Sequence, residues 1–192
     1  MKLRKLTVGV YAANCYILSD EDTDECVVID PGADLEDVIN AIDDSKCKVK
    51  YILLTHGHAD HTGASEQVRS RYNAPIGINK SDYAMMQKKE IMYGTMSKEP
   101  DIYFKDNQIF EIGNMKLNVI FTPGHTPGHL SLYLPKHQTL IAGDAAVLED
   151  GCLGLANPDY AYDRQCARES LERLFWKPAR RVICYHGGGY EV

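Results

Sequence analysis

The sequence predicts an α/β fold with strands and helices interleaved along the chain. Three observations predict it. Short apolar runs closed by Gly, Pro or polar residues recur throughout. Between several of them lie stretches with apolar positions at helical spacing, and two pairs of runs are joined by hairpin-type turns. The 192 residues fit one globular domain spanning 1–192. A domain of this size buries roughly 70% of its unfolded surface and needs no staples.

Residues 2–8 and 14–18 read as strands connected through Gly9 to Ala13. Cys26 to Ile29 is a third, closed by Asp30-Pro31-Gly32, since proline cannot continue a ladder and glycine permits a sharp exit. Asp34 then caps a helix over roughly 35–43, with Leu35, Val38, Ile39 and Ile42 at helical spacing. A buried strand at 49–54 runs into Thr55-His56-Gly57-His58-Ala59-Asp60-His61, read as a loop. A helix over about 63–72 follows, with Ala64 and Val68 on one face, and then a short strand at 75–78. Ser81 to Lys105 starts helically (Tyr83, Met86, Ile91) and breaks at Tyr93-Gly94 and Pro100; it suits either a substrate-covering flap or a surface excursion. Gln108 to Ile112 and Met115 to Phe121 flank Gly113-Asn114, a two-residue turn that suits right-twisted strands. Leu130 to Leu134 and Thr139 to Ala142 form a second hairpin around Pro135 to Gln138. Thr122 to His129, between the hairpins, is too rich in Pro and Gly for regular structure. Asp163 caps a helix over 164–175, and a last strand, Arg181 to Cys184, ends at Tyr185-His186 and Gly187 to Gly189.

The balance of 44% hydrophobic and 25% charged residues is that of a folded, soluble chain. A net charge of -6 disfavours nucleic acid, whose phosphates call for a basic face. The clusters Lys46-Lys48-Lys50, Lys88-Lys89 and Arg180-Arg181 read as solvated surface. No apolar run reaches the length of a membrane span, and the N-terminus lacks the apolar core of a signal peptide. The six cysteines show no C-x-x-C spacing, which excludes zinc-ribbon and thioredoxin-type motifs. Free thiols and no export signal point to the cytoplasm. The partner expected is a small-molecule substrate, with neither nucleic acid nor membrane; the number of subunits is left open.

The chemistry concentrates at 55–61, where three imidazoles and a carboxylate share a few positions. Such donors suit zinc and similar divalent metals. His56 and His58 are two apart, so an extended backbone puts them on one face, whereas Asp60 and His61 are adjacent and diverge. One stretch can thus serve two ions. His125, Asp144 and His186 each lie where an apolar strand stops, a rigid mount for converging side chains. Five His and two Asp overfill one ion but fit two, as three plus three plus one shared carboxylate. His129 is left as a hydrogen-bonding supporter of the ligands.

The ordered motifs THGHADH, PGHTPGH, AGDAA and YHGG, with NCYIL and VVIDPG upstream, resemble the metallo-β-lactamase superfamily, and within it the glyoxalase-II-like hydrolases. The resemblance implies a four-layer αβ/βα sandwich of two mixed β-sheets flanked by helices, with metals at one sheet edge. It assigns His56, His58 and His125 to one ion, Asp60, His61 and His186 to a second, and Asp144 as the bridge. Asp30 matches an aspartate that supports the metal loop. The implied reaction is hydrolysis of an ester-type bond, foremost an acyl thioester, by a metal-activated water that Asp60 orients. Zinc is the first expectation for the two divalent ions, with iron or manganese accepted by the same donors. A lactonase or phosphodiesterase of the same fold, or a mononuclear-iron persulfide dioxygenase, are the alternatives. His58 stands where the flavodiiron branch has glutamate, and Asp144 where lactam-hydrolysing relatives have cysteine or serine, which disfavours both activities. Glyoxalase II holds glutathione with a helical C-terminal domain, and here six residues follow His186, so short acyl thioesters are expected before glutathione ones. Tyr160 and Tyr162, between Asp144 and the last helix, are the candidates for reaching a substrate carbonyl.

Overall fold

The computed structural model describes residues 1–186 and 189–191; Gly187 and Gly188 of the terminal motif, and Val192, lie outside the described residues. Two six-stranded mixed sheets face each other. The first has the order β1 (Lys2–Val8), β2 (Ala13–Asp20), β3 (Glu25–Ile29), β4 (Lys48–Leu53), β5 (Ile76–Ile78), β6 (Ile102–Tyr103). Its first three strands are antiparallel and the rest parallel. The second contains β7 (Ile109–Ile112), β8 (Met115–Phe121), β9 (Leu130–Leu134), β10 (Thr139–Gly143), β13 (Arg181–Cys184) and β14 (Gly189–Glu191). Only the β10–β13 pair is parallel there. A small hairpin of β11 (Val147–Glu149) and β12 (Cys152–Gly154) stands apart.

Side-chain alternation explains the layering. In β2 and β3, Tyr16, Leu18, Val27 and Ile29 point into the space between the sheets, where they meet Leu117, Val119, Leu132, Ile141 and Ile183. The intervening Cys15, Ile17, Cys26 and Val28 point the other way, onto α1 (Leu35–Ser45), α3 (Ser65–Tyr72) and α4 (Lys80–Gln87) through Val38, Ile42, Val68 and Met86. Behind the second sheet, Leu140, Val182 and Cys184 pack on Leu171 and Leu174 of α5 (Arg164–Phe175). Strands covered on both faces are apolar at most positions, which is why they read as nearly continuous hydrophobic runs. The order helix, sheet, sheet, helix is the four-layer arrangement expected.

Most expected elements occur, with informative differences. Asp34 precedes α1, but in a left-handed conformation (φ 47°) and without a capping bond; its carboxylate accepts instead from Gly9 N–H at 2.9 Å. It serves the β1–β2 turn rather than the helix. Asp163 does cap α5, accepting from Cys166 N–H. The 55–61 stretch is not all loop, since its end forms a short helix, α2 (Ala59–Thr62). The helix expected from 63 starts only at Ser65.

The sheets are joined at both ends. Far from the histidines, Glu25 and Asp20 accept from Gly113 N–H (2.7 Å) and Asn114 N–H (2.5 Å) of the β7–β8 turn. At the histidine end, Leu130 N–H donates to Thr55 C=O (3.0 Å) and Tyr16 Oη–H to Cys184 C=O (2.9 Å). Among the described residues, no helix is long and apolar enough to cross a membrane.

Candidate metal centre

The parallel pair β3–β4 ends in register, Ile29 opposite Leu53, so Asp30 and Thr55 emerge side by side. Asp30 is fully buried with φ 50°, a left-handed conformation that aspartate tolerates better than most residues. Its carboxylate accepts from Thr55 N–H (2.7 Å), Thr55 Oγ1–H and His61 Nδ1–H (2.9 Å). Because the Thr55 hydroxyl donates to Asp30, its oxygen accepts from His56 Nδ1–H at 3.0 Å. One carboxylate thereby sets the tautomer of two histidines and aims both Nε2 lone pairs away from itself.

The candidate ligands converge in two groups, His56/His58/His125 and Asp60/His61/His186. In the first, His58 Nδ1 lies 3.1 Å from both His56 Nε2 and His125 Nε2. In the second, His61 Nε2 is 3.6 Å and His186 Nε2 3.8 Å from Asp60 Oδ2. Asp144 Oδ2 lies between them, 3.4 Å from His125 Nε2 and 3.6 Å from the Nε2 atoms of His61 and His186. Most of these separations are too long for good hydrogen bonds. They match the roughly 3.3 Å edge of a tetrahedron built on 2.0–2.1 Å metal–nitrogen bonds. His61 Nε2 and Asp144 Oδ1 are buried without a hydrogen-bond partner among the described residues. A divalent cation supplies what these orphaned donor atoms lack, so the residues fit two metals. A third cluster, Asp30 with His56 and His61, is the supporting layer described above.

Asp60 and His61 do not diverge as adjacent residues on a strand would. They occupy a helical turn, where neighbours are about 100° rather than 180° apart, and their tips approach one another. Gly32 makes this possible, because a Cβ there would stand 1.5 Å from Asp60 C=O.

The electrostatics differ between the groups. Burial, reinforced by the neighbouring imidazoles, pushes His58 down to about 3 and His56 well below its usual range, and burial also lowers His125. These imidazoles are neutral, the form that binds metal. At His61 burial works against protonation, but Asp144, Asp30 and Asp60 outweigh it and raise the group to about 9. Asp144 beside His186 raises that group too, against its burial. Asp144 itself is pushed up by burial but brought down further by His61, His186 and His125. The second group therefore gathers negative charge that holds a proton wherever a cation does not.

Sequence reasoning missed two contributors, both in the segment after Ser81. Asp82, fully buried on α4, accepts from Gly57 N–H (2.8 Å), Gly128 N–H (2.6 Å) and Thr126 Oγ1–H (2.7 Å). It clamps the loop bearing His56 and His58 to the loop bearing His125. No spacing signal marks it. Tyr93 packs edge-on against His58, centroids 5.0 Å apart. A Cβ on Gly57 would stand 2.8 Å from that ring. Met92 C=O accepts from Ala59 N–H (2.8 Å) and Gly94 N–H donates to Gly57 C=O (2.9 Å). So 92–94 lies bonded onto the metal loop rather than forming a free surface excursion.

His129 is not among the convergent ligand atoms. Its Nδ1–H faces Thr122 C=O at 3.1 Å and its Nε2 accepts from Asp144 N–H at 2.9 Å, which fixes the backbone that presents Asp144. Above the centre opens a cleft of about 460 Å³, lined among others by Tyr11, Met92, Val147, Glu149, Asn157 and Tyr160. Tyr160 thus reaches the cleft. Tyr162 does not line it: the side chain is exposed, and its N–H donates to His125 C=O at 3.0 Å.

Known proteins resemble this chain in sequence and fold. The chain is 31% identical over 200 residues to the probable metallo-hydrolase YqgX of Bacillus subtilis, covering 100% of this chain and 93% of that one. It is 28% identical over 162 residues to the hydroxyacylglutathione hydrolase GloC of Haemophilus influenzae, covering 80% and 75%. The crystal structure of the BLEG-1 B3 metallo-beta-lactamase superposes with a TM-score of 0.83 at 26% identity, covering 99% and 94%. Residues 8–186 match the profile of the metallo-beta-lactamase superfamily. On fold, profile and relatives together, the chain belongs to the metallo-β-lactamase superfamily.

Proposed function

We propose that the protein is a metal-dependent hydrolase that cleaves an ester-type bond of a small molecule, foremost an acyl thioester, at a centre of two divalent ions. The observation that carries this is the placement of Asp144 Oδ2 within 3.4–3.6 Å of one histidine of the first group and two of the second, at the floor of an open cleft. Likeness to a hydroxyacylglutathione hydrolase at 28% identity supports the thioester, and the six unpaired cysteines support a reducing, cytoplasmic setting.

His56, His58 and His125 would hold one ion and Asp60, His61 and His186 the other, with Asp144 shared. Two such ions, zinc first, supply a water of lowered pKa and a Lewis acid for the substrate carbonyl. The chain's own residues do the rest. Asp60, its side chain partly exposed to the cleft, accepts a hydrogen bond from the attacking water and holds the proton it releases. Asp30, through Thr55, keeps His56 Nε2 bare, and directly it holds a proton on His61 Nδ1, so that Nε2 is the atom His61 would turn to an ion. His129 steadies Asp144 through its backbone. No serine or cysteine nucleophile is required, and neither residue type lines the cleft among the described residues.

The test combines elemental analysis of the purified protein with a panel of thioester, lactone, phosphodiester and lactam substrates. Two zinc ions per chain and thioester turnover are expected. One iron per chain with oxygen uptake on a persulfide, or phosphodiester cleavage alone, would overturn the assignment.

A further inference from the structure

We propose that the substrate is uncharged and apolar on both sides of the scissile bond, an ester or thioester of a neutral alcohol or thiol rather than of an anionic carrier. This rests on the hydrolase reading above and names its substrate class. Among the described residues, none of the side chains lining the cleft is Lys or Arg. An anionic tail, such as the carboxylates of glutathione or the phosphates of a nucleotide carrier, calls for a guanidinium or ammonium partner once desolvated. Here the one lining charge away from the metal ligands is the carboxylate of Glu149, which repels it. Arg164, the cation nearest in sequence to Tyr160, pairs with Asp159 at 2.8 Å and is not part of the lining.

The walls are of the opposite character. Tyr11, Met92 and Tyr160 come from three separate segments and are 73%, 46% and 57% exposed, large apolar surfaces gathered at one mouth. Covering such surface is favourable by about 25 cal/mol per Å². Val10 and Ile91, beside Tyr11 and Met92 in sequence, are almost fully exposed as well. Met92 is not a loose loop tip. It has φ 74°, rare outside glycine, and its carbonyl is bonded to Ala59 N–H, which holds this residue next to the metal loop. Ala146, Val147 and Ala156 continue the apolar lining; away from the candidate metal ligands its neutral polar groups are the Asn157 amide and the phenolic hydroxyls of Tyr11 and Tyr160.

Binding separates this inference from the hydrolase reading. The metal-loaded protein is titrated calorimetrically with two thioethers that cannot be hydrolysed, S-octyl-N-acetylcysteamine and S-octylglutathione. The neutral ligand is expected to bind at least about tenfold more tightly. Tyr11→Ala and Met92→Ala should each weaken it by roughly threefold to tenfold while metal content stays unchanged. Equal or tighter binding of the glutathione thioether, or no binding of either, overturns the inference. The matching octanoyl thioesters then test catalysis: selective binding of the neutral thioether without turnover would sink the hydrolase reading and leave the substrate class standing.

Discussion

Replacing Asp82 removes a carboxylate that takes hydrogen bonds from Gly57, Thr126 and Gly128, in the two loops that carry the three histidines of the first group. Alanine leaves three buried donors without a partner, a gross loss of about 3–9 kcal/mol at 1–3 kcal/mol each. The carboxylate's own burial offsets part of this. Burial pushes Asp82 up to about 6 from 3.8, and two pKa units correspond to about 3 kcal/mol relieved at neutral pH. The middle of that gross range, about 6 kcal/mol, less this relief leaves a net destabilisation of about 3 kcal/mol for Asp82→Ala. Asp82→Asn keeps one acceptor oxygen but turns an amide N–H toward a donor, so it costs about 1–3 kcal/mol. The pH dependence has a definite sign. With the folded pKa above the unfolded one, the native state binds more protons between pH 4 and 6, and the wild type loses stability as pH rises through that window. The asparagine variant lacks this slope, so its deficit is larger at pH 4 than at pH 7. Urea unfolding in the presence of a chelator measures both. Competition titration of zinc should show a 10–100-fold weaker first site, the usual cost of losing an outer partner of the ligands. Variants within 0.5 kcal/mol of wild type, with unchanged zinc affinity, would refute the clamp.

The other predictions concern the metals and the sheets. Asp144→Ala or His186→Ala should drop zinc stoichiometry from two toward one and cut thioester hydrolysis about 100-fold or more, read by elemental analysis and initial rates. Chelation should lower Tm by roughly 10–20 °C against protein with free zinc at a hundredfold excess over Kd for both sites, since each such site is worth about 2.7 kcal/mol. Gly57→Ala sets a Cβ 2.8 Å from the Tyr93 ring, so it should displace 92–94 and weaken the first site; unchanged zinc affinity would show that the packing is dispensable. Glu25, lowered by its bond to Lys50 and by Gly113 N–H, stabilises above its unfolded pKa of about 4.5, and that gain fades as pH falls. Glu25→Gln should therefore destabilise at pH 7 and make little difference at pH 3, measured by denaturant midpoint.

Apolar strands buried on both faces were legible in the sequence because most of their positions carry the signal. So were the ligand candidates, because His and Asp are conspicuous directly after such runs, and the structure places all seven around one centre. What stayed hidden depends on tertiary geometry. Asp82 sits on a helix with no spacing pattern, and only the meeting of two loops gives its carboxylate three donors. Asp34 looks like a helix cap, but a left-handed backbone turns it toward Gly9. Asp60 and His61 looked divergent until the chain coiled into α2. The β11–β12 hairpin was missed because its strands are three residues each and half-exposed, too short and too wet to show alternation.

Among their described residues, segments 9–12 and 147–162 contain no fully buried side chain, yet both supply walls of the cleft. Surface substitutions of that kind usually move stability by no more than about 0.5 kcal/mol. The ligand loops, in contrast, are interlocked with the core through Asp30 and Asp82. On the proposed function, the walls that would set substrate preference and the loops that would hold the metals thus lie in different parts of the chain, so the first could drift under mutation while the second is held.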